Sequence, residues 1–153
     1  MKISENELAG HPFFENLESD LLKIFCASAT HVSYNAEQMI YREGDEANQF
    51  LLIRQGKAAV ELFSAQRGVL VIQTMGAGEI LGWSWLFPPY RRRFDARALK
   101  DTAAFAWDGV LLRQEAEADH RLGYELLKRF SKIVVERLQA TRLQLLDVYG
   151  KHA

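Results

Sequence analysis

Apolar and polar positions divide the chain into three textures, with borders near residues 29 and 107. In residues 1–29, Leu21, Leu22, Ile24 and Phe25 fall on one face of a 3.6-residue period, which predicts a helix that Ser19 or Asp20 could cap. Pro12-Phe13-Phe14 forms a short aromatic plug ahead of it. From 30 to 107 the apolar runs are too short for helices. Phe50–Ile53, Ala58–Phe63, Val69–Ile72 and Ala103–Trp107 are β-branched and aromatic in character, which predicts strands. Turn signals separate them at Glu43-Gly44-Asp45, Gln55-Gly56-Lys57, Gln66-Arg67-Gly68 and Met75-Gly76-Ala77-Gly78. Short strands with frequent turns can bury one face only by wrapping, so a closed or double-sheet β architecture follows.

The third texture, residues 108–153, is helical again. Asp108-Gly109 opens a helix over Val110–Glu117, and Asp119 caps a second from about Arg121 to Val148. At about 1.5 Å per residue the second helix is on the order of 40 Å long, more than closure of a small roll requires. Leu127, Val134, Leu138, Leu145 and Val148, with Thr141 between them, recur at threes and fours, interrupted by Ser131 and Thr141. Such a stripe serves either a helix packed on its own core or a two-fold dimer helix, and the excess length favours the dimer. No internal repeat, low-complexity tract or flexible linker divides the 153 residues, so one domain is expected over 1–153.

Composition narrows the possible partners. A formal net charge of −1 provides no general basic field for nucleic acid or an anionic membrane surface. No apolar run is long enough to span a bilayer, and the polar, acidic start Met1–Glu7 lacks the apolar core of a secretory signal, so a cytoplasmic protein is expected. The single Cys26 reads as a buried free thiol, with a redox sensor as the alternative. His11, His31, His120 and His152 are scattered without metal-ligand spacing, so no metal is expected. Two motifs fail on inspection. Gly76–Gly82 misses the dinucleotide spacing and has no βαβ unit around it, and Gly82-Trp83-Ser84-Trp85-Leu86 lacks the closing glycine of a nucleophile elbow. No acid–base pair presents itself, so no enzyme is expected.

Order and punctuation together resemble the cyclic nucleotide-binding domain superfamily of the catabolite activators and protein-kinase regulatory subunits, the Crp/Fnr-like sensors among them. The resemblance runs from Phe13-Phe14-Glu15-Asn16-Leu17 through Glu37–Asp45 and Phe50–Val60 to the final helix. It implies a mainly β fold with flanking helices, a double-stranded β-helix or jelly-roll (the β-roll), with a long C-terminal dimerisation helix. It also implies a ligand cassette beginning at Gly78-Glu79-Ile80-Leu81-Gly82, in which a turn and a helix N-terminus present N–H groups to a phosphate. By the same resemblance Glu79 accepts from a ribose hydroxyl and Arg92 meets the phosphate, with Arg91 and Arg93 as competitors. Thr141 falls at the base-contacting position, with Arg142 in place of a small hydroxyl residue.

The cassette departs from the family's pattern in two ways. Arg93 and Phe94 follow Arg92 where a small hydroxyl residue and alanine are usual. The aromatic run Trp83–Tyr90 also lengthens the segment; with Trp83, Ser84 and Phe94 it either lines a pocket for a planar ligand or plugs the mouth of the roll. The expected function is a homodimeric, non-catalytic sensor of a small anionic ligand, a cyclic nucleotide such as cAMP included, with a regulatory protein as a further partner. The alternative is a ligand-free interaction module, or the stand-alone remnant of a transcription regulator. Bacterial activators continue past the long helix into a helix-turn-helix, whereas this sequence stops at Lys151-His152-Ala153, so direct nucleic-acid binding is not expected.

Overall fold

The computed structural model describes residues 3–150. Helix α1 (Glu5–Ala9), a 3-10 turn at Pro12–Phe14 and helix α2 (Ser19–Ser28) lead into eight strands. These are β1 (Thr30–Tyr34), β2 (Met39–Tyr41), β3 (Gln49–Gln55), β4 (Ala58–Ser64), β5 (Gly68–Met75), β6 (Ile80–Leu81), β7 (Asp95–Ala98) and β8 (Thr102–Asp108). Helices α3 (Gly109–Ala118) and α4 (His120–Gly150) follow. The strands form two four-stranded antiparallel sheets, ordered β1-β8-β3-β6 and β2-β7-β4-β5. This is the expected β-roll with flanking helices and a long C-terminal helix. Two compact units divide the chain, one ending at Gln114 and the other starting at Glu115, so the border falls inside α3.

In the first unit the inner faces of both sheets share one core. Leu51 and Ile53 of β3, Leu81 of β6, and Ala104 and Ala106 of β8 pack with Ala58 of β4, Met75 of β5 and Ala96 of β7. Tyr34, Ile40, Tyr41 and Val60 lie against this cluster. The tight β3–β4 hairpin depends on Gly56, whose φ is +102° and whose missing Cβ would sit 2.5 Å from the Asp101 carbonyl oxygen. A second, aromatic core closes one side of the roll. Phe50 stacks between Trp85 at 5.1 Å and Trp107 at 4.9 Å, and Phe14 and Phe25 pack on Trp107 at 5.6 and 6.2 Å. Trp107 Nε1 donates to the Phe25 carbonyl at 2.9 Å, so the indole is buried without losing its hydrogen bond. The Pro12-Phe13-Phe14 plug is thus the seat of this cluster. Glu18, which lacks a side-chain cap hydrogen bond, is the N-cap of α2, in place of the expected Ser19 or Asp20. Cys26 is half-buried rather than buried, and its thiol pKa is pushed up by burial and by Glu5 and Glu7.

The second unit is dominated by α4. Asp119 caps it as expected, its Oδ1 accepting the Arg121 N–H at 3.0 Å. Its observed span is slightly longer than the expected Arg121–Val148. Leu122, Leu126 and Phe130 form a buried stripe. About a quarter turn away at 3.6 residues per turn runs the other apolar stripe, Leu127, Val134, Leu138, Thr141 and Leu145. Along it, Leu127, Leu138 and Leu145 are 49%, 47% and 51% exposed, unlike the buried stripe beside it. Among the described residues no helix is long and apolar enough to cross a membrane.

Candidate functional site

The cassette begins as a turn tied to β3. Gly78 N–H donates to the Ile53 carbonyl at 2.7 Å, and Ile53 N–H returns a bond to the Glu79 carbonyl at 3.0 Å. The Glu79 carboxylate closes its own turn, Oε1 accepting the Gly76 N–H at 3.0 Å, and the residue is exposed. Ile80 and Leu81 then pair with Leu52 and Leu51 of β3 and are buried. Past Gly82 the chain runs in turns, and no helix forms before β7. The expected helix N-terminus is therefore absent from the cassette. Pro88 and Pro89 explain this, because each lacks an N–H and each disfavours helical geometry in the residue before it.

The aromatic run is mostly structural. Trp85 is fully buried against Phe50, and a Cβ at Gly109 would lie 2.8 Å from its ring, so α3 starts directly on this indole. Arg113 of α3 clamps the run from the same side. Its Nη1 donates to the Trp85 carbonyl, and its guanidinium carbon lies 4.0 Å from the Tyr90 ring centroid. Trp83, Ser84 and Phe94 are half-buried. For Trp85 the plug, rather than the planar pocket, describes the arrangement.

Past Tyr90 the chain is pinned to the β2–β3 turn. Ala47 N–H donates to the Tyr90 carbonyl, Arg92 N–H to the Asp45 carbonyl and Gly44 N–H to the Arg92 carbonyl, at 2.8, 2.9 and 2.8 Å. This extended backbone sends alternate side chains to opposite faces and so separates the three arginines. Arg91 points outward, 3.9 Å from Glu46, and Arg93 is exposed. Arg92 turns inward and is only 5% exposed.

The Arg92 guanidinium lies 4.1 Å from the Tyr41 ring centroid, and its Nη2 donates to the Gln49 carbonyl. It rests against Gly82, where a Cβ would stand 2.5 Å from Nη1 and where φ is +94°. Its Nε and Nη1 are buried without a hydrogen-bond acceptor, and among the described residues no carboxylate lies within ion-pair distance of it. Burial pushes its pKa down, against the favourable influence of Tyr41, Asp45 and Tyr34. Burial likewise pushes the Tyr41 and Tyr34 phenols up, with Arg92 acting the other way and a Gln49 hydrogen bond also lowering Tyr34. Glu79 is not among the groups acting on Arg92. The structure thus selects Arg92 from the triplet as the inward one and surrounds it with Tyr41, Tyr34 and Gln49, which the sequence did not single out. Alternation along the strands was the available signal for the tyrosines; for Gln49, which contributes its backbone carbonyl, the sequence carries none.

The remaining candidates lie elsewhere. Thr141 and Arg142 are exposed on α4, and the Thr141 hydroxyl donates to the Arg137 carbonyl at 2.8 Å. Among the described residues no group of three or more His, Cys, Asp or Glu side chains could hold a metal ion.

Comparison with known proteins agrees with this fold. The profile of the cyclic nucleotide-binding domain matches residues 31–119. A cyclic nucleotide-gated ion channel from Arabidopsis thaliana is 29% identical over 127 residues, which cover 76% of this chain and 18% of the channel. The chain therefore spans less than a fifth of that relative. The crystal structure of a Geobacter metallireducens protein carrying the cyclic nucleotide-binding name superposes with a TM-score of 0.80 at 26% identity, covering 89% of this chain and 98% of that one. The catabolite activator protein of Thermus thermophilus superposes with a TM-score of 0.70 at 21% identity, over 90% of this chain and 63% of that one.

Proposed function

The chain belongs to the cyclic nucleotide-binding domain family, and from that premise we propose that it is a non-catalytic sensor that takes a small anionic ligand at Arg92 and signals through a homodimer built on α4. The observation that carries the reading is the buried Arg92 guanidinium, with two donors lacking an acceptor and, among the described residues, no carboxylate within ion-pair distance. Desolvating a cation without pairing it is costly, and an incoming phosphate would supply both the missing charge and the missing acceptors. The ligand acts by binding one state of the cassette better than another, so its differential affinity sets the strength of the signal. The half-exposed leucines of α4 fit a two-fold seam, which leaves the rest of the surface for a regulatory protein partner. A cytoplasmic setting and one domain over 1–153 complete the reading.

Calorimetric titration of the wild type and Arg92→Ala with cAMP and cGMP tests the site. Binding that survives unchanged in the variant rejects the role of Arg92. Light scattering after size exclusion tests the seam, where Leu138→Glu with Leu145→Glu is expected to convert dimer to monomer.

A second reading, a ligand-free interaction module, draws on the way Trp85 fills the aromatic core and Glu79 is spent on its own turn. A thermal-shift screen separates the two, because a ligand that binds only the folded state raises the melting temperature. If no anion raises it, the module reading gains.

A further inference from the structure

The groups through which a cyclic nucleotide would be recognised survive unequally in this chain. The sugar position is Glu79, whose Oε1 is held by the Gly76 N–H. The small hydroxyl residue expected after the phosphate arginine is replaced by Arg93, which is exposed. The base position is Thr141, whose hydroxyl is bonded to the Arg137 carbonyl within its own helix. Trp85 is stacked on Phe50 in the core and offers no face to a base, whereas Trp83 is half-buried. Among these positions only Arg92 holds buried donors, Nε and Nη1, without an acceptor.

The walls around those donors are close and built. One face of the guanidinium meets the Tyr41 ring, one nitrogen is fixed on the Gln49 carbonyl, and Gly82 backbone lies against Nη1. The Tyr34 phenol lies near enough to act electrostatically on the guanidinium. A planar guanidinium held in this way presents directed donors, not merely a point charge.

We infer that the Arg92 seat takes a compact tetrahedral oxyanion, inorganic phosphate or sulfate in size, without a sugar or base attached. This rests on the reading of Arg92 as an anion ligand and adds the class of the anion. The cage of Tyr41, Gln49 and Gly82 fixes the guanidinium, and the ligand completes its charge and its two open donors. Selectivity over a nucleotide arises because the sugar and base positions, Glu79 and Thr141, are exposed and already hydrogen-bonded within the chain, whereas a compact anion at Arg92 satisfies buried donors that lack any acceptor.

The test uses the full chain in chloride buffer at fixed ionic strength. Inorganic phosphate, sulfate and cAMP are titrated calorimetrically into the wild type and Arg92→Met, with folding of the variant checked by circular dichroism. Phosphate or sulfate binding at least tenfold tighter than cAMP, and lost in Arg92→Met, is the expected result. cAMP binding tighter than phosphate, and dependent on Arg92, overturns the compact-anion inference and leaves the sensor reading standing. Phosphate binding equally to wild type and variant overturns the inference, because the anion then sits elsewhere. No binding by any of the three overturns both. Should Arg92→Met not fold, Arg92→Lys replaces it. It keeps the charge but not the planar fork, and is expected to weaken phosphate binding at least tenfold, an unchanged affinity being the overturning result.

Discussion

Arg92→Met separates a ligand seat from a structural strut, because the two roles demand opposite changes in stability. In the unliganded protein the guanidinium gains a charge-assisted bond to the Gln49 carbonyl, about 1.5–3 kcal/mol, and the Tyr41 ring contact, about 0.5–2 kcal/mol. Against this stand two buried unspent donors, each costing about 1–3 kcal/mol, and a cation with no carboxylate partner. The two sides nearly cancel, and methionine adds about 1–2 kcal/mol of apolar burial in the same space. Unfolding free energy is therefore expected to stay level or to rise by up to about 2 kcal/mol. In melting temperature that is a gain of a few degrees, since about 2–4 °C accompanies each kcal/mol in a chain of this size. Urea and thermal unfolding in phosphate-free buffer read the difference, with the denaturant slope m checked for constancy. A loss above about 2 kcal/mol would refute the reasoning, because Arg92 would then be holding the roll together. The same comparison at phosphate about 100-fold above its dissociation constant should reverse the order, adding about 2.7 kcal/mol to the wild type alone.

Gly82→Ala places a Cβ 2.5 Å from Arg92 Nη1 at a φ of +94°. A stability loss of about 1–3 kcal/mol is expected from the left-handed backbone and the displaced guanidinium, together with weakened anion binding, read by urea unfolding and phosphate titration. Arg97→Met should cost more. It strands Glu61, which is 3% exposed and accepts two bonds from Arg97 at 3.1 and 2.8 Å. Breaking a buried pair costs about 3–5 kcal/mol, and because the Arg97 side chain is 23% exposed the expected loss is about 2–3 kcal/mol, without any effect on anion affinity. On α4, burial raises the Glu125 pKa, but hydrogen bonds from Lys128 and Arg129 prevail and hold it below its ordinary value. Its contribution is then fully present above the unfolded-state pKa and is lost as pH falls through the lowered folded value. Wild-type stability should decline across that acidic window more steeply than that of Glu125→Gln, and equal slopes would remove Glu125 as the cause.

What was legible in the sequence follows from how locally each element is specified. Gln49–Gln55, Ala58–Ser64 and Thr102–Asp108 carry their own β-branched and aromatic runs and end at turn residues, so pattern alone located them. Ile80–Leu81 is a strand only because β3 offers it a partner, which no local pattern reveals. The Asp119 cap fixed the start of α4, because its oxygen meets a nearby N–H whatever the surrounding fold. In the cassette, family resemblance led to a helix N-terminus, and two consecutive prolines excluded it. Choosing among Arg91, Arg92 and Arg93 needed the pinning of Arg92 to Gly44 and Asp45, since alternation separates neighbours but does not say which one faces inward.

The aromatic run that lengthens the cassette also explains how a buried arginine without a counterion is held in place. Trp85 stacks on Phe50, and Phe50 is the next residue along β3 from Gln49, whose carbonyl fixes Arg92 Nη2. The Arg113 clamp on Trp85 and Tyr90, with the bonds from Ala47 and Gly44, immobilises both ends of the segment leading to Arg92. The side-chain entropy of an arginine, about 2 kcal/mol when fully ordered, is thus surrendered during folding and not on ligand arrival. A small anion has few atoms with which to offset an ordering cost, so a guanidinium ordered in advance matters more for it than for a nucleotide with many contacts. The run Trp83–Tyr90 thus anchors the loop in the core, and the anchored loop fixes the guanidinium.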